Sequence, residues 1–272
     1  MRFNGWPELK EAFISGNNPV TFMLAPMAMV LRSQGIPVKI VYLGHRDGSA
    51  LMVRKESDLH TIEDLRGKRV AVPNRFSNQY LVINKALKDH GMTGKDINLV
   101  EMPPPDMPAA LYAKAVDAII SGEPFMGQTE LDGYGRVLYQ AKDLWPNFIS
   151  CVLVVDERFI AKNPEKVQKL VDGIAKSGLW LDKSMDNRMK AAKAVAENYY
   201  NQDPRLLRFV LSKPPDRVTY TKLKLARKDF EEIENLALEA GILKKPIAFE
   251  EYADMRFSEN TTGIGPYAWE AP

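Results

Sequence analysis

The chain has very few of the residues that bind metals or form covalent cross-links. Its 272 residues include one cysteine, Cys151, and three histidines, His45, His60 and His90. A single thiol cannot close an internal disulfide, and three histidines without ligand spacing do not make a metal centre. A charge excess is also lacking: 37 Lys+Arg stand against 35 Asp+Glu, for a net charge of +2. A dedicated nucleic-acid binder would carry a strong basic excess. The longest apolar run, Val20 to Leu31, is interrupted by Thr21 and Pro26. It falls short of the about 20 residues that cross a bilayer. No basic stretch leading into an apolar segment and a cleavage site opens the sequence. Neither Gly-x-Gly-x-x-Gly nor a phosphate-loop signature occurs, which removes the usual dinucleotide and nucleoside-triphosphate readings.

What remains is an ordinary folded composition, 45% apolar and 26% charged, in a chain long enough for about two lobes of roughly 150 residues each. Pro7, the stripe Leu9, Ala12 and Phe13, and the stop at Ser15-Gly16 predict a helix over Trp6 to Ser15. Apolar strands are expected at Pro19–Leu24, Val38–Leu43 and Ala50–Arg54, with Gly44 to Ser49 as a polar turn. A helix opening at Pro26 ends at Gly35. Further on, strands at Lys68–Val72, Ile97–Glu101, Val116–Ser121, Arg136–Tyr139 and Ile149–Val155 alternate with helices. Those helices open at Ser77, Asp106 and Glu123-Pro124. Such alternation predicts crossover units and a largely parallel sheet. After Val155 the chain turns helical, with Asn163-Pro164 and Asp186 as starts, a stripe at Lys228–Ala240, and a loosely packed tail from Thr261.

In open α/β sheets, ligands bind beyond the carboxyl ends of strands, where helix N-termini point into a crevice. Four segments occupy that position. Ala25, Pro26 and Met27 form a strand-to-helix junction with free backbone N–H groups, or equally a helix start packed in the core. His45, Arg46, Asp47 and Ser49 lie between two strands, as a cleft wall or as a solvated turn with an Arg46–Asp47 pair. Asn74, Ser77, Asn78 and Tyr80 open a helix and suit a small anion or polar group; the plainer reading is an ordinary serine cap. Glu123, Phe125 and Gln128 follow a buried strand, Phe125 as a stacking wall and Glu123 as a contact or merely a first-turn acid. A helix terminus supplies up to ~2 kcal/mol, whereas micromolar affinity takes about −8 kcal/mol. Several segments must therefore close together over one solute. Met23, Met27 and Met29 read as core filler, and Cys151, inside an apolar strand, as a buried and inert thiol.

Taken in order, Trp6-Pro7-Glu8-Leu9, Phe22 to Ala28, Asp64 to Val72, Met102 to Met107, Val116-Asp117-Ala118 and Gly122-Glu123-Pro124-Phe125 resemble a known family. It is the nitrate/sulfonate/bicarbonate class of solute-binding proteins of ABC importers. The triple proline and the Gly-Glu-Pro-aromatic step lie nearest its nitrate and bicarbonate branch. The resemblance implies an α/β two-lobe periplasmic-binding-protein fold of the second type, with parallel-rich sheets and strand hinges near Ala50–Arg54 and Ile149–Val155. Lobe one would be residues 1–50 with 150–272, and lobe two 51–149. Family members carry a further strand, loop and helix before the equivalent of Trp6, so the resemblance implies a truncated first lobe. It also implies a monomeric, non-enzymatic receptor for a small anionic or polar solute, outside the cytoplasm, handing its solute to membrane permease subunits. No cofactor, metal or nucleic acid is implied. The alternative is an enzyme on the same fold, of pyrimidine-precursor or menaquinone-pathway type, using His45. The effector lobe of a transcription regulator is a weaker third reading, because the DNA-binding helices are lacking.

Overall fold

A computed structural model describes residues 3, 5–199 and 202–263; most of the expected C-terminal tail lies outside them. The strands are β1 (Val20–Met23), β2 (Val38–Asp47), β3 (Ser49–Arg54), β4 (Arg69–Val72), β5 (Asn98–Glu101), β6 (Ala118–Gly122), β7 (Gly135–Gln140), β8 (Ile149–Asp156) and β9 (Val218–Thr219). The helices are α1 (Trp6–Ile14), α2 (Ala25–Ser33), α3 (Asn78–Asp89), α4 (Met107–Tyr112), α5 (Phe125–Leu131), α6 (Ala141–Leu144) and α7 (Glu157–Lys162). They continue as α8 (Pro164–Lys183), α9 (Met185–Asn198), α10 (Pro204–Ser212), α11 (Arg227–Glu239), α12 (Phe249–Tyr252) and α13 (Met255–Glu259). The strands form two sheets, β1-β8-β2-β9 and β5-β4-β6-β3-β7.

The expectation of largely parallel sheets holds only in part. Parallel pairing joins β4 to β5 and to β6. In the first sheet β8 runs antiparallel to β1 and β2, and β2 antiparallel to β9. In the second, β3 runs antiparallel to β6 and β7. β2 passes into β3 through a single residue, Gly48, and so leaves the first sheet for the second. The strand pattern at Gly44 to Ser49 also differs from the expected polar turn. β2 continues to Asp47 because Arg46 and Asp47 pair with Thr219 and Val218 on one side, while His45 and Arg46 pair with Cys151 and Ile149 on the other.

β3 is buried on both faces, as its uninterrupted apolar run requires. Leu51 and Val53 enter the main core, and Ala50 and Met52 enter a second cluster with Met107, Leu111 and Met126. Among the helix starts, Ser77 caps α3 by accepting the Tyr80 N–H. Ser184, two residues before the expected start, caps α9 in place of Asp186. The pair α10 and β9 was missed, although Asp203-Pro204 is a cap followed by a first-turn proline and Asp203 accepts the Arg205 N–H.

The long helix α8 carries two glycines in different surroundings. A methyl on Gly178 would stand 2.3 Å from the backbone oxygen of Tyr220, whereas nothing lies within 4 Å at Gly173. Gly178→Ala is expected to destabilise the fold by about 1–3 kcal/mol through overpacking, despite the helix propensity that alanine gains. Gly173→Ala is expected to stabilise by about 0.5–1 kcal/mol. Urea unfolding midpoints of the two variants test both signs.

Candidate functional site

The site is built where the chain crosses between the sheets. Asp47 and Gly48 both take left-handed backbone angles, φ +60° and +69°. A side chain at Gly48 would be strained by that φ and would meet Val218 Cγ2 at 2.9 Å, so glycine is the residue that fits. The Gly48 N–H donates to the Arg217 carbonyl (2.7 Å), and its own carbonyl accepts the Glu123 N–H (2.8 Å). One residue thus ties the loop before β9 to the loop after β6. The Asp47 N–H donates to the Phe148 carbonyl (2.9 Å), and its carboxylate accepts from Thr219 Oγ1 (3.0 Å). Burial pushes the Asp47 carboxyl above its ordinary range, opposed by the Thr219 hydroxyl and the charges of Lys142 and Arg46.

The buried start of α3 meets this crossing. Asn74 Oδ1 accepts the Phe76 N–H (2.7 Å), and Ser77 Oγ donates to the Asn74 carbonyl (2.7 Å). Asn78 Nδ2 donates to the Ile149 carbonyl, and Gln79 Nε2 donates to Ser49 Oγ (3.0 Å). Asn74, Asn78 and Gln79 are 7%, 0% and 3% exposed. A methyl on Gly122 would lie 3.7 Å from the Gly48 carbonyl oxygen, 3.8 Å from Ser49 Oγ and 3.9 Å from Ser150 Oγ. Gly48, Ser49, Gly122 and Ser150 therefore share one neighbourhood.

Among the described residues, the buried side-chain polar atoms without a hydrogen-bond partner are His45 Nδ1, Asn74 Nδ2, Asn78 Oδ1 and Gln79 Oε1. All four belong to the crossing or to the α3 start. Gln79 reaches Ser49, Asn78 reaches Ile149, and His45 Cε1 lies 3.5 Å from where a Gly48 methyl would stand. A buried polar group left unpaired costs about 1–3 kcal/mol. Their concentration in one place makes the crossing and the α3 start the candidate site. Burial lowers the affinity of His45 for a proton, opposed by the backbone groups of Arg46 and Asp47.

The other sequence-predicted residues have different surroundings. Ala25, Pro26 and Met27 form the buried first turn of α2 and offer apolar surface. Arg46 is fully engaged, with the Asp229 carboxylate at 2.6 Å and the Lys222 and Asn147 carbonyls at 2.8 Å. It lines a cavity of about 540 Å³ with Tyr42, Tyr220 and Lys228. Tyr80 lies under the Arg75 guanidinium and lines an outer groove with Asn84 and Thr93. Gln128 turns along the α5 surface to Asp132 (2.6 Å), and Phe125 packs on the second core cluster.

Glu123 bridges rather than projects. Its carboxylate accepts from Arg217 Nη1 (2.6 Å) and from the Gly127 N–H (2.7 Å), and Arg217 Nη2 reaches Glu130 (2.7 Å). Arg217 is 1% exposed, and its Nε donates to the Lys213 carbonyl. Burial raises the Glu123 carboxyl, opposed by Arg217 and the Gly127 N–H. Beside this triad α10 packs on α5, where a methyl on Gly127 would meet Val210 Cγ1 at 2.4 Å. Lys142 of α6 also pairs with Asp216 (2.6 Å). Sequence reasoning missed Gln79, Ser150 and Arg217. Gln79 lay within the α3 start, but nothing marked Arg217, which follows the break at Lys213-Pro214-Pro215.

The Taurine-binding periplasmic protein of Escherichia coli is 28% identical over 204 residues, covering 71% of this chain and 62% of that protein. The chain spans less than two thirds of the length of the first curated relatives it matches. A ligand-binding component of an ABC-type import system from Staphylococcus aureus shares the fold with a TM-score of 0.85 at 23% identity, covering 96% of this chain and 87% of that one. The desulfurization enzyme DSZB shares it with a TM-score of 0.64 at 18% identity, covering 89% and 84%. The architecture is thus a periplasmic-binding-protein fold, which receptors and an enzyme both use. The NMT1-like family model matches residues 1–196, and the chain belongs to that family.

Proposed function

We propose that this chain is a solute receptor of an ABC importer. It captures a small anionic or polar solute between two lobes, residues 1–50 with 150–272 and residues 51–149, and delivers it to a membrane permease. The observation that carries this reading is the cluster of unpartnered, buried polar atoms at the α3 start and the Gly48 crossing. A rigid core has no use for four such atoms, whereas a closing cleft supplies their partners with its guest. The likeness to a taurine-binding periplasmic protein supports a receptor, and with it an extracytoplasmic location. No helix among the described residues is long and apolar enough to cross a membrane.

The shared fold with DSZB favours an enzyme as the second reading. Two features of the chain weigh against thiol or imidazolium chemistry. Burial pushes the Cys151 thiol up to about 12, and its Sγ packs so closely on Gly44 that a methyl there would stand 2.4 Å away. Burial disfavours the charged form of the His45 ring. His45→Ala abolishes turnover under the enzyme reading and only weakens binding under the receptor reading.

Titration calorimetry with taurine, nitrate and bicarbonate tests the site. Asn78→Ala and Gln79→Ala are each expected to weaken the bound solute at least about tenfold, or ~1.4 kcal/mol. Gln128→Ala and Tyr80→Ala are expected to change it by less than about twofold. Arg217→Met leaves two carboxylates without their guanidinium, one of them deeply buried, and is expected to destabilise by about 3–5 kcal/mol. It is also expected to abolish the compaction that the receptor reading predicts in small-angle scattering on solute addition. Cys151 is expected to carry about a thousandfold less thiolate than an ordinary thiol at pH 8. Its reaction with a disulfide reagent should therefore be slow in the native protein and fast in urea.

A further inference from the structure

We infer that the solute held at the α3 start carries its own hydrogen-bond donor, an N–H group, beside an acceptor, and that Asn78 reads that donor. The inference rests on the receptor reading above and concerns what the same site selects. The polarity of each free atom is set by the bonds its residue already makes. Asn74 Oδ1 is taken by the Phe76 N–H, so its free end is Nδ2, a donor. Asn78 donates through Nδ2 to the Ile149 carbonyl. A carbonyl cannot donate in return, so the amide cannot be turned round, and the free end of Asn78 is Oδ1, an acceptor. Gln79 bonds a hydroxyl, Ser49 Oγ, which can give or take a proton, so Gln79 can present either end. The neutral form of His45, which burial favours, can likewise offer Nδ1 in either role.

The fixed pair is therefore one donor and one acceptor, both buried. Nitrate has acceptors only. Opposite Asn78 Oδ1 it would set one lone pair against another, in a place from which water is excluded. A cation could offset that repulsion, but the buried guanidinium groups among the described residues are committed, Arg188 to Asp182 among them. Arg46 holds Asp229, and Arg217 holds Glu123 and Glu130. The positive end of α3 remains, and its field also acts on Asn78 Oδ1 itself. A solute with an ammonium, amide or ureide N–H satisfies Asn78, while its oxygen atoms accept from Asn74 and the first-turn N–H groups of α3.

Two matched pairs of probes isolate the donor. Taurine and ethanesulfonate share a sulfonate and differ by the ammonium; uracil and 1,3-dimethyluracil share a ring and differ by the N–H groups. Calorimetry on the full chain, with nitrate as a fifth probe, is expected to show at least one donor-bearing member binding ten times or more tighter than its partner and than nitrate. The first pair selects a zwitterion and the second a neutral ureide. In Asn78→Ala that ratio is expected to fall below threefold, while Tyr80→Ala keeps it. Ethanesulfonate, dimethyluracil or nitrate binding as tightly as the donor-bearing probes overturns the inference and leaves the receptor reading standing. Binding by none of the five overturns both.

Discussion

Gly48 anchors the passage of the chain between the two sheets and fixes what surrounds it. It stands between two sheets, donates to one side through its N–H and accepts from the other through its carbonyl. Two successive left-handed residues turn the chain within one step. A side chain there would collide with Val218 and push β9 from β2. The direct passage from β2 to β3 carries the chain from the first sheet into the second. It brings Ser49 to Gln79 and His45 to the same neighbourhood, so the topology and the site have one origin.

A second tie lies beside the first. Arg217 joins the loop before β9 to the segment just before α5 and to the last turn of α5 through two carboxylates. A buried guanidinium with two acids gains little net stability over apolar packing of similar shape. What it does provide is geometry: five donors in a fixed fork accept one relative placement of α5 and α10. Gly127 permits that placement by letting Val210 approach the α5 backbone. Glu123 thus acts on the site by holding its walls rather than by reaching into it.

Much of this was legible in the order of residues. Strand and helix positions followed from apolar periodicity and from caps such as Ser77 and Asn163-Pro164, because those signals are local. The α3 start was legible for the same reason, as a polar stretch between a strand and a helix. Three things were not. The sheet directions depend on how strands meet, and an apolar run such as Ala50–Val53 reads alike in either sense. The Gly44–Asp47 stretch looked like a turn because its polar side chains gave no sign that Thr219 and Val218 would pair with it. The partner of Glu123 lies 94 positions away, and no spacing rule connects a carboxylate to an arginine at that distance. Likewise Arg46 looked available until Asp229 and two carbonyls surrounded it.

The four unpaired atoms at the crossing also bear on what happens without a guest. On the receptor reading, shutting on nothing would strand amide and imidazole groups away from water, each at a cost of about 1–3 kcal/mol, which favours an open, hydrated cleft until a guest arrives. On the receptor reading, the shut shape itself then reports that cargo is aboard. A membrane partner that recognises only this shape needs no contact with the cargo to avoid a futile cycle of transport.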